Sequence, residues 1–490
     1  MNIFERRIVT MKKTVLLGIA ALTLLLLAAS DVSAQNWYRG NLHMHSLWSD
    51  GTALPEEAVS LYRDEGYHFV CLSDHNQAQT NDQRWEEIGK RLSTAKFERF
   101  KKHFPDYPVQ TKTEYDASVK TDKAAEIVDG LIAETTEKLA ASGETSVALD
   151  RLDTLVQEAR SDYAQRIKKA TQHDFVRLLT YSEFKVRTEI PGRFLVIPGF
   201  EPSNSSKNGK AVHMNFINTE SFWEYQKRET AEETLDANWA EAQKMASGRE
   251  NETAYILNHP DWVYFDIDPM WIVSRPFRFF EVINCGPTYS PCDGAWTTDK
   301  FWDVVNAFRC ANGGELLFGT ASDDTHGYDP FYTKEGEASG IGGGGWIVVR
   351  AEELSIPAIL AAMHRGDFYA STGVELADVV FDSESRTLSV SVKPVEGADY
   401  TIEFIGTKKN FDRTVTVIND PAKEKKPARA ISVFSDDIGA VLKTVSGTSG
   451  SYTLADDDLY VRAKITANCP PARKIHGKPD HPTAWTQPVK

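Results

Sequence analysis

Along the chain, short apolar runs alternate with longer stretches whose apolar positions recur at helical spacing, a pattern that predicts parallel βα units. Residues 41–46 read as a strand and residues 69–72 as a buried one. Between them, residues 55–65 read as a helix, with Pro55 suited to the first turn and Ala58, Leu61 and Tyr62 on one face. The alternation resumes at residues 194–198 and continues through 255–258, 279–283 and 316–319.

Residues 80–190 interrupt this order. They are rich in charge and helical in period: Ile127, Leu131 and Leu139 mark one helix ending near Gly143, and Leu152, Leu155, Ala159, Tyr163 and Ile167 mark the face of another. An insertion packed on the rim of the main domain is the simpler expectation, and a lid or partner-binding arm the sharper one. From about Gly373 the period becomes two, as in residues 387–392, 400–404 and 459–465. This predicts a small antiparallel β-sandwich over 373–490, after a larger α/β domain over 35–372. Residues 339–345 are glycine-rich, but no Gly-Lys-Ser/Thr follows, so they read as a loop and not as a phosphate cradle.

The length of 490 residues suits one large and one smaller domain. A net charge of -15 disfavours nucleic acid as a partner. It leaves a small anionic substrate open, because bound cations would set the local field. Lys12-Lys13, the apolar run over 14–29 and Val32-Ser33-Ala34 form a signal-peptide pattern over residues 1–34, which Met11 starts better than Met1. The mature chain is expected to be periplasmic or secreted, with no stable membrane insertion. The pattern carries no signal for oligomeric state. Cys71 reads as a buried thiol. Cys285, Cys292, Cys310 and Cys469 could form up to two disulfides, with Cys285–Cys292 the first pair to test.

Chemistry enters with the positions that flank the strands. His43 and His45 are two apart on the first strand, so both point to one face. Asp50 follows in a Ser-Asp-Gly turn, His75 in Ser-Asp-His-Asn and Glu201 in Pro-Gly-Phe-Glu. His213 lies in Val-His-Met-Asn, His259 in Leu-Asn-His-Pro, and Asp324 and His326 in Ser-Asp-Asp-Thr-His. Each alone has an ordinary structural explanation, as a turn residue or a hydrogen-bonded core histidine. Together, nine imidazole and carboxylate groups would meet where βα loops gather. Imidazole with carboxylate suits zinc, manganese or iron, and nine ligands exceed what one metal takes, which implies two or three divalent ions. Glu281 and Asn284 are candidates to orient the ligands, and Asp74 and Asp323 adjoin them.

These motifs resemble those of the PHP (polymerase and histidinol phosphatase) superfamily of metallohydrolases. The resemblance rests on Leu42-His-Met-His-Ser46 with Asp50-Gly51, Ser73-Asp-His-Asn76, Pro198-Gly-Phe-Glu201 and Asp323-Asp-Thr-His326, and covers about residues 41–374 apart from the insertion. Val212-His-Met-Asn-Phe-Ile-Asn218, Phe280-Glu-Val-Ile-Asn-Cys-Gly286, His364-Arg-Gly-Asp-Phe-Tyr-Ala-Ser-Thr-Gly373 and Ala484-Trp-Thr-Gln-Pro488 look like those of a secreted branch that includes carbaryl-type carbamate hydrolases. The resemblance implies a distorted seven-stranded, TIM-like βα barrel. It implies that His43, His45, Glu201 and Asp324 hold one metal, that Glu201 bridges to a second held by His213 and His259, and that Asp50, His75 and His326 hold a third.

A metal-activated water is then the expected nucleophile, with Glu201 and His75 at the reacting centre and Arg365 as a positive contact for an anionic substrate. The first expectation is a phosphoesterase acting on a small mono- or diester. A carboxylic or carbamic ester hydrolase at the same centre is the second, and a non-catalytic glycan-binding module with structural metals the third.

Overall fold

The computed structural model describes residues 36–82, 84–102, 106–110, 174–262, 267–286, 297–328, 343–420, 429–470 and 481–490. The signal segment over 1–34, the insertion helices over 127–167 and Cys292 lie outside these residues.

Seven strands follow one another in space in the order they have in the chain. β1 (Asn36–Asn41), β2 (Phe69–Leu72), β3 (Leu195–Phe200), β4 (Ala211–Ile217), β5 (Ala254–Leu257), β6 (Phe279–Asn284) and β7 (Phe318–Ser322) belong to one 14-stranded sheet. β1, β2 and β3 are parallel, as are β5, β6 and β7. β4 runs antiparallel to both its neighbours.

The sheet is not closed, so the expected TIM-like barrel is corrected to an open, mixed sheet. Closure would require β7 to pair along β1. The edge of β1 is instead taken by β8 (Trp346–Ala351), which pairs with it antiparallel from Asn36–Ala351 to Gly40–Ile347. Beyond the strand ends, a lone bridge of Met44 with Thr325 joins the two sides. From β8 the sheet continues through β9 (Phe368–Ser371), Thr483–Thr486, Asp458–Ala467, Tyr400–Lys408 and Ala440–Ser446. A three-stranded sheet of Leu376–Asp382, Thr387–Val392 and Ser449–Thr453 packs against this extension through Leu388, Val390, Phe404 and Ile465. The period-two alternation of the C-terminal part thus appears as two facing layers, one of them continuous with the main sheet.

Seven helices occur among the described residues. Thr298–Ala311 and Ile356–Arg365 bury Val304, Ala307, Ile359 and Met363 in one apolar cluster with β6 and β7. Pro55–Asp64 starts on its proline and buries Ala58, Val59 and Tyr62 on the other side. At the described ends of the insertion, Trp85–Glu87, Phe175–Arg177 and Val109–Gln110 form a small antiparallel sheet beside the helices Thr94–Lys101 and Tyr181–Thr188. Strands of two or three residues carry no readable period, so only the helical character shows in the sequence. No helix among the described residues is long and apolar enough to cross a membrane. Cys71 is a buried free thiol, and Cys310 and Cys469 are also free.

Candidate metal centre

Backbone pairing at the strand ends brings the candidate ligands together. β1 ends at Asn41, so His43 and His45 lie just beyond it and not within a strand. The segment stays extended because His45 N–H donates to the Thr325 carbonyl (2.9 Å) and Asp324 N–H to the His43 carbonyl (3.0 Å). In the same way, a bridge joins His75 to Glu201, with Asn76 N–H on the Glu201 carbonyl (2.8 Å) and Glu201 N–H on the Asp74 carbonyl (3.1 Å). Two ligands occupy the left-handed backbone region, His259 at φ 26° and Asp324 at φ 48°. Such a conformation costs about 1–3 kcal/mol per residue and persists only where neighbouring bonds enforce it. Gly51 is required for a steric reason: a Cβ there would fall 2.7 Å from the His45 carbonyl carbon.

All nine ligands predicted from the sequence converge in three groups. His43, His45 and Asp324 form one, Glu201, His213 and His259 a second, and His45, Asp50, His75 and His326 a third. Within each group the ligand atoms lie within 4.8 Å of one another. His45 belongs to two groups. Glu201 lies between histidines of all three: its Oε1 is 3.4 Å from both His43 Nε2 and His213 Nδ1, and its Oε2 is 3.6 Å from His45 Nε2 and touches His75 Nδ1. Side-chain exposure rises from 0% at His43, His45 and Glu201 through 16% at Asp324 to 58% at Asp50, so the cluster opens to solvent on its Asp50 side.

The donor set fits cations. His43 Nδ1 lies 2.7 Å from Glu281 Oε1, which places the hydrogen of a neutral His43 on Nδ1. Its buried Nε2 then carries a bare lone pair, has no hydrogen-bond partner, and faces Glu201 Oε1 at 3.4 Å and Asp324 Oδ1 at 3.2 Å. His326 repeats the arrangement. Its Nδ1 lies 2.9 Å from the Asp324 carbonyl, which can only accept, and its Nε2 faces Asp50 Oδ1 at 3.3 Å. Electron pairs that converge in this way repel unless a proton or a cation sits among them. Nitrogen and oxygen donors of these types suit manganese, zinc or iron.

The charges carry the same message. Burial opposes ionisation of Glu201 and Asp324, yet the facing imidazoles hold both carboxylates well below the usual range. Burial also opposes charge on His43, but Asp324, Glu281 and Glu201 outweigh it and raise the imidazole well above its ordinary value. His45 goes the other way, down to about 3, because burial and then His326 and His75 disfavour its charge.

Further residues hold the ligands in place. Glu281, besides binding His43, accepts from His259 N–H (2.8 Å), Asn284 Nδ2 (2.9 Å) and the Ser322 hydroxyl. Asp74 gathers the turn before Asp50, accepting from Ser46 N–H (2.7 Å), Ser49 N–H (3.1 Å) and both serine hydroxyls. Asp323 accepts from the backbone N–H of Gly343, Gly344 and Gly345, so the described end of the glycine-rich loop holds a carboxylate. Sequence reasoning missed Asn258, which donates to Glu201 Oε1 (2.7 Å) and to Asn215 (3.1 Å), and Tyr328, whose hydroxyl donates to the His45 carbonyl (2.6 Å). Asn258 immediately precedes His259, and that adjacency was its available signal.

Arg365 is not brought to the cluster. It ends the helix Ile356–Arg365, is 54% exposed and pairs with Asp367 at 2.8 Å. The neighbouring His364 packs on Phe279 at the start of β6, whereas Glu281 and Asn284, farther along β6, face the ligands. Arg365 therefore sits toward the opposite end of the sheet, because the helix runs back across the strands before it ends.

No protein-family model matches the chain, and no curated protein matches it. Among solved structures it is similar to the crystal structure of a two-domain protein from Bacteroides vulgatus ATCC 8482 containing a predicted PHP-like metal-dependent phosphoesterase. That similarity covers 94% of this chain and 97% of the other at 13% identity and a TM-score of 0.32.

Proposed function

We propose that this chain is a metal-dependent hydrolase that holds two or three divalent ions, manganese, zinc or iron, and cleaves a small phosphate mono- or diester. The observation that carries the reading is the place of Glu201, whose two carboxylate oxygens reach histidines of all three ligand groups. A carboxylate between ligand groups would let neighbouring metal sites share it, and a phosphoryl group offers several oxygens to such a centre. When bound, such ions supply an acidified water and positive charge for the oxyanion that develops at phosphorus.

The chain supplies the rest. Glu281 fixes the His43 ring so that Nε2 faces the centre. The Asp324 carbonyl does the same for His326. His75, held on its Nδ1 side by Ser203 Oγ at 2.6 Å and by Glu201, presents Nε2 beside Asp50, where it would serve as a ligand at the open side. We place this chemistry in residues 35–372 of an exported chain, with residues 373–490 as the appended β-rich part.

A panel of chromogenic phosphate and carboxyl esters, assayed with manganese and with zinc, tests the reading. Metal-dependent phosphoester turnover is expected. Turnover of carboxylic or carbamic esters alone would move the substrate class and keep the centre. Stable metal binding with no turnover of either would favour a binding module.

A further inference from the structure

Asp50 is the most exposed of the candidate ligands, and its carboxylate faces His326 Nε2 at 3.3 Å and His75 Nε2 at 3.5 Å. The backbone of the turn that carries it sets where that carboxylate can reach. That turn is gripped from two sides. Asp74 takes the N–H groups of Ser46 and Ser49 from within the main domain. The carbonyls on the other side are taken largely by the 80–190 insertion. Arg91 donates through Nη2 to the Leu47 carbonyl at 3.0 Å and through Nη1 to the Ser49 carbonyl, and Lys96 Nζ donates to the Thr52 carbonyl at 2.7 Å. Gln77 Nε2 supplies the Trp48 carbonyl at 2.8 Å, and the Trp48 indole returns a bond to the Leu179 carbonyl at 2.9 Å.

Arg91 is itself aimed. Glu86, on the strand Trp85–Glu87, receives its Nε at 3.1 Å and its Nη2 at 2.6 Å, a two-point contact that fixes the plane of the guanidinium. The carbonyls it holds belong to the residue directly before Asp50 and to one two positions earlier.

We infer that Arg91, supported by Lys96, is a positioning residue through which the insertion sets Asp50 against His75 and His326 and so completes the most exposed of the three ligand groups. The insertion is then part of the metal centre's construction, acting through backbone carbonyls without contributing a ligand. This inference rests on the reading of the three groups as metal sites.

The test is manganese binding to the full mature chain, by titration and by elemental analysis after gel filtration, for wild type, Arg91→Ala, Arg91→Lys, Lys96→Met and Asp50→Asn. Arg91→Ala should weaken one bound equivalent by about 10- to 100-fold and leave the others unchanged, the range seen when a group that orients a ligand is removed. Asp50→Asn should weaken the same equivalent, and Arg91→Lys, which keeps a donor but not the fork, should recover part of the loss. Lys96→Met gives a smaller loss in the same direction and serves if Arg91→Ala does not fold. Wild-type affinity and stoichiometry in Arg91→Ala and Lys96→Met would overturn this inference while leaving the metal centre standing. A wild-type chain that binds no manganese would overturn the metal-centre reading, and this inference with it.

Discussion

His43 Nδ1 lies 2.7 Å from Glu281 Oε1, and neither side chain is more than 1% exposed. That contact decides which ring nitrogen of His43 faces the cluster. Glu281→Gln keeps the shape but can present an amide N–H to Nδ1, which would favour the wrong tautomer. It should weaken metal binding by about 10- to 100-fold with little change in fold. Titration of the metal-free variant with manganese reads this directly, and unchanged affinity would show that the contact does not orient the ligand.

Glu201 reaches histidines of all three groups through its two oxygens, whereas His213 belongs to one group. Glu201→Ala should therefore reduce the bound metal by more equivalents per chain than His213→Ala does. Equal losses, measured by elemental analysis of the two purified variants, would contradict the shared position of Glu201.

Glu56 gives a pH dependence separate from the ligands. It sits in the first turn of the helix Pro55–Asp64, fully buried, with the Tyr107 hydroxyl donating to it at 3.2 Å. Burial pushes its carboxyl up to about 8, against the smaller opposing effects of its own N–H and of Tyr107. The folded chain thus keeps a proton that the unfolded chain releases near pH 4.3. Stability from this group falls as pH rises between those two values and is level above the upper one. Glu56→Gln, neutral throughout, should match wild type near pH 4 and exceed it by a few kcal/mol at pH 8, within the roughly 1.4 kcal/mol per pH unit that linkage allows. Denaturant midpoints at the two pH values check the sign.

Arg462 ties the C-terminal strands to the helix Thr298–Ala311. Its Nε and Nη2 donate to Asp303 at 2.9 and 2.7 Å, Nη2 also reaches Asp299 at 2.9 Å, and the Tyr460 hydroxyl donates to Asp303. Arg462 is 0% exposed and Asp303 is 3%. Arg462→Met leaves a buried carboxylate without its cation and should lower the unfolding free energy by about 3–5 kcal/mol. A loss below about 1 kcal/mol, the scale of an exposed pair, would show that the network carries no such weight.

Most of the ligand set was legible in the sequence because its members lie in short motifs just past strand ends, where loops converge, although His213 lies within β4 and Asp50 in the turn after His45. His43-Met-His45, Ser-Asp-His75 and Asp324-Thr-His326 need no knowledge of closure to be read. Closure itself was not legible: the strand Trp346–Ala351 has the same apolar character whether it pairs inside a barrel or along the outer edge of β1. Arg365 misled because its place depends on where its helix ends relative to the strands, which periodicity does not report. Asn258 and Tyr328 were missed because an amide or a phenol that orients a ligand leaves no spacing signature. The grip of Arg91 on the Asp50 turn spans 42 positions in sequence and ends on a backbone carbonyl, so no side-chain pattern could show it.

The central claim is that the nine converging side chains hold at least two metal ions. Elemental analysis of the purified mature chain, after reconstitution with manganese or zinc and removal of loosely bound ions, tests it most directly. Two or three equivalents per chain are expected, falling in His45→Ala. Fewer than two equivalents in the wild-type chain would contradict the account.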